Sequence, residues 1–250
     1  MAVSAAKARI VFTPVDTAIG LGLAGLILGA WLGVHIVSIF FVDWIGSGLW
    51  PLAPLVVALQ CWLSVGMFIV AHDTIHGSLV PGRQGLNHAI GQLCVGLYAG
   101  FSYAKLSASH HDHHRYAGTE QDPDFDANHP SAFWPWYLKF FRTYFGVREF
   151  AALAVGVAIY AIILGPRWPN MLVFWALPAI LSSLQLFYFG TYRPHRIEAG
   201  ESFADAHRTR SNDFPWLVSL LTCFHFGYHH EHHDKPWTPW WKLPSVRERA

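Results

Sequence analysis

The sequence predicts an all-α integral membrane protein: four transmembrane helices, a re-entrant or interfacial segment and a cytoplasmic histidine-rich cap, in one domain over residues 1–250. Three observations carry this expectation. Hydrophobic residues make up 53% of the chain and charged ones only 13%, about half the charged share of an ordinary soluble domain. Four long runs are apolar all round, not on one stripe. Twelve Trp and nine Tyr suit a protein with two membrane–water interfaces.

The bilayer core needs about 20 apolar residues of helix, which places spans at about 18–42, 52–72, 147–165 and 171–190. The first holds His35 as its one ionisable residue before the end, and the second holds Gln60. The third is short in its apolar core, Phe150–Leu164, and borrows Phe145 and Gly146 on its N-terminal side. Leu86–Ala104 is apolar but carries Asn87, His88 and Gln92, so it reads as re-entrant or interfacial.

Orientation follows from the basic residues. The loops Asp43–Trp50 and Gly165–Asn170 contain only Arg167 as a basic residue. The remaining Lys and Arg lie in the N-terminal segment, in Pro81–Arg148 and from Arg193 onward. Both termini are therefore expected in the cytoplasm. A net charge of +1 argues against a nucleic-acid partner. Cys61, Cys94 and Cys223 form no CxxC pair and are expected as buried free thiols. No cleavable leader is evident, because the first apolar run is too long for one.

Gly20, Gly22 and Gly25 match a dinucleotide fingerprint, but that motif requires a preceding strand and a βαβ unit. Gly25, Gly29 and Gly33 recur every four residues, and are expected to make a smooth ridge for close helix packing.

Histidine carries the chemistry. Three clusters stand out: His72-Asp-Thr-Ile-His76, His110-His-Asp-His-His114 and His225-Phe-Gly-Tyr-His-His-Glu-His-His233. Residues three or four apart share a helix face. His72 and His76 can thus point at one centre, and so can His110, His113 and His114, or His229, His232 and His233. If Leu86–Ala104 does not cross the membrane, all three clusters meet on one side. Eight imidazoles are too many for one ion, which makes two metals the economical reading. Imidazole suits zinc, copper, iron and nickel. A structural zinc site would use four ligands, usually with cysteine; redox chemistry with positions open to oxygen favours iron.

His195 is a candidate ninth ligand just after the fourth span. His111, His225 and His230 are secondary candidates. His35, His88, His129 and His207 are expected to be satisfied core or interfacial residues. Asp73, Asp112 and Glu231 lie inside the clusters, and Glu120, Asp122 and Asp124 follow the second. Such carboxylates suit the outer N–H of metal-bound imidazoles. Asp122 and Asp124 are candidate site residues, although, flanking Pro123, they also fit a turn. Phe101, Tyr103, Trp134 and Trp136 are candidate walls of a substrate cavity or an interfacial belt, and Trp237, Trp240 and Trp241 are expected at the interface.

The clusters, in this order and spacing, resemble the membrane fatty acid desaturase and hydroxylase superfamily, whose three histidine boxes hold two iron ions. The wording around the boxes resembles bacterial β-carotene 4-ketolases: Ala71–Gly77, His110–Tyr116 running on to Asp122-Pro-Asp124, and Phe224–His233 before a Trp-rich tail. The resemblance covers roughly Thr13 to Pro244. It implies oxidation of the C4 methylene of a β-carotene ring, or of a hydroxylated ring, to a ketone by two O₂-dependent hydroxylations and loss of water. It also implies a carotenoid drawn from the bilayer and a reduced ferredoxin-type donor. The chain shows no flavin or nicotinamide motif of its own. Carotenoid 3-hydroxylase and fatty acid desaturase are the rival readings. A histidine-rich metal carrier would need ionisable residues along a mid-membrane path, where only His35 lies deep in a span.

Overall fold

The computed structural model describes residues 13–198 and 200–247; the N-terminal segment expected in the cytoplasm lies outside them. Among the described residues there is no strand. Four helices are long and apolar enough to cross a membrane: Pro14–Phe41, Trp50–Ile75, Val147–Leu164 and Trp168–His195. Helices dominate because lipid offers no partners to free backbone N–H and C=O groups.

Helix α1 (Pro14–Ile36) starts at a capping box in which the Thr13 and Asp16 side chains satisfy each other's backbone N–H. Lys242, far along the chain, pairs with Asp16. Helix α2 (Ala53–Ile75) packs on α1. Polar groups pair between them: Trp31 Nε1 donates to Ser64 Oγ at 2.9 Å, and Ser64 Oγ to the Gln60 carbonyl at 2.8 Å. The buried face of α1 is Gly20, Ala24, Ile27, Trp31 and His35. This corrects the glycine ridge. A Cβ on Gly25, Gly29 or Gly33 would meet nothing within 4 Å, whereas one on Gly20 would strike the Leu79 carbonyl oxygen and sit 3.0 Å from Trp241. Large side chains such as Trp31 make the interhelical contacts, and the glycine row points outward.

After α2 the chain turns at Gly77 (φ 68°). The buried Asn87 amide clamps this turn, accepting from Val80 N at 3.1 Å and donating to Val80 O at 2.7 Å. Helix α3 (Gln84–Ala99) runs back along α2. Gly91 fits where a Cβ would collide with Thr74 and the Tyr103 ring, and Tyr98 reaches the ring of Phe68. Sixteen residues span about 24 Å, short of the roughly 30 Å hydrocarbon core. Gly100 (φ 69°) ends α3 in the left-handed region, and α4 (Tyr103–Tyr116) returns to the end from which α3 started. The re-entrant excursion expected from the sequence is thus the arrangement found.

Helix α5 (Phe133–Tyr144) precedes the third span, α6 (Val147–Leu164). Phe145 and Gly146 are not part of that span; Gly146 is its N-cap. The fourth span contains α7 (Trp168–Met171), α8 (Leu177–Phe187) and α9 (Arg193–His195), joined by π-helical turns at Leu172–Ala176 and Tyr188–Tyr192. Each π turn lies just before a proline, Pro178 or Pro194. A proline ring clashes with the carbonyl four residues earlier, here Phe174 or Gly190, and an extra residue in the turn relieves the clash. The span therefore reaches His195, rather than ending five residues before it. An irregular stretch over residues 200 to 215 leads to α10 (Trp216–Cys223), α11 (His229–Asp234) and α12 (Leu243–Val246). Trp240 is not interfacial: it is buried against Phe224, and its backbone N–H donates to Asp73 at 3.0 Å.

Gly91→Val should lower the melting temperature of the detergent-solubilised protein, because overpacking of this kind costs about 1–3 kcal/mol. Gly25→Ala should leave it unchanged or raise it. Equal losses in the two variants would contradict the packing described.

Candidate metal centre

Four pieces of chain deliver nine imidazoles to one end of the bundle. The last turn of α2 supplies His72, with His76 as its C-cap. Helix α4 presents His110, His113 and His114, and α11 presents His229, His232 and His233. His195 closes the fourth span, where the π turn before Pro194 matters. One inserted residue rotates all that follows by about 100°, and His195 ends fully buried against His113, His229 and His233.

The nine fall into two groups: His72, His76, His110, His114 and His232; and His113, His195, His229 and His233. Within each, the potential ligand atoms lie within 4.8 Å of one another. The groups adjoin, with the rings of His114 and His233 stacked at 4.2 Å. In the first group the Nε2 atoms form a chain: His72–His232 3.1 Å, His232–His114 2.9 Å, His114–His110 3.1 Å and His110–His76 2.8 Å. In the second, His195–His229 is 2.9 Å and His229–His233 is 3.1 Å.

Hydrogen bonding alone does not account for these contacts. A neutral Nε2 has one proton or one lone pair, so an atom between two others cannot form a full bond with both. A shared cation removes the conflict, since every Nε2 then offers a lone pair to it. Nitrogens on adjacent positions of an ion with bonds near 2.1 Å lie roughly 3 Å apart, close to the observed separations. The donor set fits two metal ions.

Protonation agrees. Burial, reinforced by the neighbouring imidazoles, drives His76, His110, His229, His232 and His233 well below the usual histidine range and His114 to about 2. Neutral imidazole is the ligand form. His113 differs: burial opposes its protonation, but Asp122 outweighs burial and shifts it upward.

Two ligands have clear outer partners. His113 Nδ1–H donates to Asp122 at 2.9 and 3.1 Å, and His195 Nδ1–H donates to the Arg208 carbonyl at 2.8 Å. Each bond leaves the Nε2 lone pair free to face the centre. Asp122 also accepts from Gly118 N and Asp124 N, at 2.9 and 2.8 Å. These bonds and His113 hold it below the carboxylate range despite burial. Asp124 accepts from the Tyr144 hydroxyl, and burial raises it to about 6. Asp122 thus sits in the turn expected beside Pro123 and also contacts His113, whereas Asp124 is bonded to Tyr144.

A family model described as fatty acid desaturase matches residues 46–151 and 144–250. The chain belongs to the fatty acid desaturase family. It is 51% identical over 236 residues to a beta-carotene ketolase of Paracoccus sp. (strain N81106 / MBIC 01143), covering 94% of each chain. It is 35% identical to a beta-carotene ketolase of Haematococcus lacustris, covering 94% of this chain and 80% of that one. It is 34% identical to a zeaxanthin 4-ketolase of Chlamydomonas reinhardtii, covering 92% of this chain and 54% of that one.

In this desaturase-family chain, both histidine groups border one apolar cavity. His72, His110, His113 and His229 line it with Phe68, Tyr98, Phe101, Phe140, Phe141, Phe145 and Phe226. Of the expected walls, Phe101 is there. Tyr103 is instead buried against α3, Trp136 is buried beside Phe125 and Phe187, and Trp134 is exposed. The phenylalanines of α5 were not anticipated; their marked one-sided spacing in Phe133–Tyr144 was the signal available.

The secondary candidates stand apart. His111 is exposed and bonds back to Ser107 O at 2.7 Å. His225 packs among Trp216, Tyr228 and Trp240. His230 lies 3.5 Å from Asp205. His35 is a buried core residue paired with Tyr160 at 3.1 Å, and His88, His129 and His207 belong to neither group. His113→Ala should remove bound metal while leaving membrane insertion intact, and His207→Ala should leave metal content unchanged, as read by elemental analysis of purified protein. Full metal in the first, or loss in the second, would redraw the site.

Proposed function

We propose that this desaturase-family chain is a carotenoid 4-ketolase, converting the C4 methylene of a β-ionone ring to a ketone. The observation that carries the reading is the shared cavity: members of both histidine groups face one water-poor, aromatic-lined space. That space shares Tyr98, Phe101, Phe141, Phe145 and Ser183 with a second apolar cavity between α6 and α8. A ring can lie against the imidazoles while the rigid polyene extends through the second cavity toward lipid. Apolar pockets of this kind bind by shape and exclusion of water. The names of the similar ketolases support the ring carbon as target.

Two ions, proposed as iron, would be held by the nine imidazoles and would supply O₂ activation. The chemistry balances as two hydroxylations of one methylene. Each consumes one O₂, two electrons and two protons and releases one water; the resulting geminal diol then loses water to give the ketone. The allylic C–H bond is weak, which favours this carbon. Electrons come from outside the chain, in this proposal from a ferredoxin-type donor. The chain's own residues orient and exclude: Asp122 sets the His113 tautomer, Tyr144 and Asp124 brace each other at the cavity wall, and the phenylalanines keep water out. The Paracoccus relatives support a bacterial inner-membrane location, and the positive-inside distribution supports cytoplasmic termini and a cytoplasmic histidine end.

Pigments from β-carotene-producing bacteria that express the chain should gain one oxygen and lose two hydrogens per modified ring, by mass spectrometry. Oxygen gain without hydrogen loss would make the chain a 3-hydroxylase. Unchanged carotene in cells with metal-loaded, donor-supplied protein would point to a lipid substrate. Ala179 lines the second cavity. Ala179→Trp should cut turnover of β-carotene by roughly 100-fold through misplacement of the ring, with metal content unchanged. Undiminished turnover would remove that cavity from the substrate path.

A further inference from the structure

We propose that Arg208 is a positioning residue for the four-histidine group, holding two of its members at once without reaching the ion. The inference rests on the reading of that group as a metal site.

Arg208 sits in the irregular stretch between the fourth span and α10. Stretches of this length without regular structure are uncommon and often functional. Its backbone has φ 46°, a left-handed conformation that a residue with a Cβ disfavours. The conformation has a consequence at each end of the residue. The carbonyl accepts from His195 Nδ1–H at 2.8 Å. The guanidinium turns the other way and donates from Nη1 to the Gly118 carbonyl at 3.1 Å.

Gly118 continues the path. It has φ 66°, and a Cβ there would lie 3.2 Å from both Cβ and Cδ of Arg208, so glycine lets the arginine stem lie flat against the turn. The Gly118 N–H donates to Asp122 Oδ2 at 2.9 Å, and Asp122 accepts from His113 Nδ1. One side chain and one carbonyl of Arg208 thus join the outer nitrogens of His113 and His195, whose rings meet edge to face at 4.8 Å. Both belong to the four-histidine group, and the path touches no member of the five-histidine group.

A general stabilising role is the alternative. Arg208 is exposed overall and forms no ion pair among the described residues, so its removal opens no cavity in the core. Outer partners of metal-bound imidazole control ligand orientation and basicity, and their loss typically weakens metal binding by about 10–100-fold. That weakening should fall on one ion of the two.

The test uses full-length, metal-loaded protein in detergent, titrated with a chelator while ions per chain are counted and the magnetic coupling of the pair is followed by Mössbauer spectroscopy. Arg208→Gly keeps the positive-φ backbone and the carbonyl to His195, and removes the side chain, its guanidinium and the stem against Gly118 together. One ion should leave at roughly 10–100-fold lower chelator concentration than in the parent, with the coupled signal lost and the other ion retained. Asp122→Asn interrupts the same path from the His113 side, should loosen the same ion and so identifies it; Arg208→Asn, which tolerates the left-handed backbone and keeps the carbonyl but loses the guanidinium, decides the matter if Arg208→Gly does not fold. The proposal is overturned if Arg208→Gly holds both ions as tightly as the parent, or loses both together, or if Asp122→Asn loosens only the other ion. A parent chain that binds fewer than two ions overturns the metal reading itself, and this inference with it; two ions in the parent with no selective loss in the variants overturn only the role of Arg208.

Discussion

Nine imidazoles pressed together at the end of a helix bundle are a mutually unsatisfied set unless a cation stands between them. Each Nε2 can take part in one hydrogen bond, yet several lie about 3 Å from two others. Much of the surrounding structure follows from bringing these groups to one place. Helix α2 must end at the level where α4 and α11 arrive, and the fourth span must reach the same level with His195 facing inward. Packing in the bundle serves this convergence. Small or matched polar groups, such as Gly91 against Thr74 and Trp31 against Ser64, let helices approach closely where lipid supplies no hydrophobic drive between them.

The re-entrant pair α3–α4 meets a second demand. A full crossing after α2 would carry His110, His113 and His114 to the opposite face. The left-handed turn at Gly100 reverses the chain before that happens, and the same detour places Tyr98 and Phe101 beside the histidines. Candidate metal-binding histidines and cavity-lining aromatics thus come from one excursion. The π turns before Pro178 and Pro194 do comparable work in the fourth span. They absorb the missing N–H of proline, and they supply cavity-lining residues: Leu172, Trp175 and Ala176 from the first, Gly190 and Thr191 from the second.

The two histidine groups differ in how they are supported. His113 and His195, in the four-histidine group, have firm outer partners in Asp122 and the Arg208 carbonyl. Their group-mates His229 and His233 have no partner at Nδ1, and neither has His72 in the five-histidine group, which lies 3.5 Å from Asp73. Outer hydrogen bonds thus fix two imidazoles of the four-histidine group and leave the other two to packing alone. Of the two aspartates that a sequence reading leaves divided between turn and site, Asp122 accepts from Gly118 and Asp124 within the turn and from His113 beside it.

Much of this was legible beforehand, and the limits are instructive. Span number, the re-entrant segment and the convergence of His72, His76 and the two His-x-x-His-His runs follow from length, apolarity and helical period, which are local properties. The ninth member, His195, was only a candidate, since its inward direction depends on a π turn that shifts the helical phase. The division into five and four was not readable: the period places His113 and His114 in one cluster, but the roughly 100° between adjacent residues on a helix sends them to different groups. Gly25, Gly29 and Gly33 suggested a packing ridge by spacing alone, while the larger residues on the other face made the contacts. The sequence by itself determined that this is a helical membrane protein carrying three histidine clusters, because hydropathy and short-range spacing need no partner. Only the tertiary structure decided which imidazoles share a centre, which residues such as Arg208 hold them, and which aromatics wall the cavity, because each depends on segments distant in sequence meeting at fixed distances.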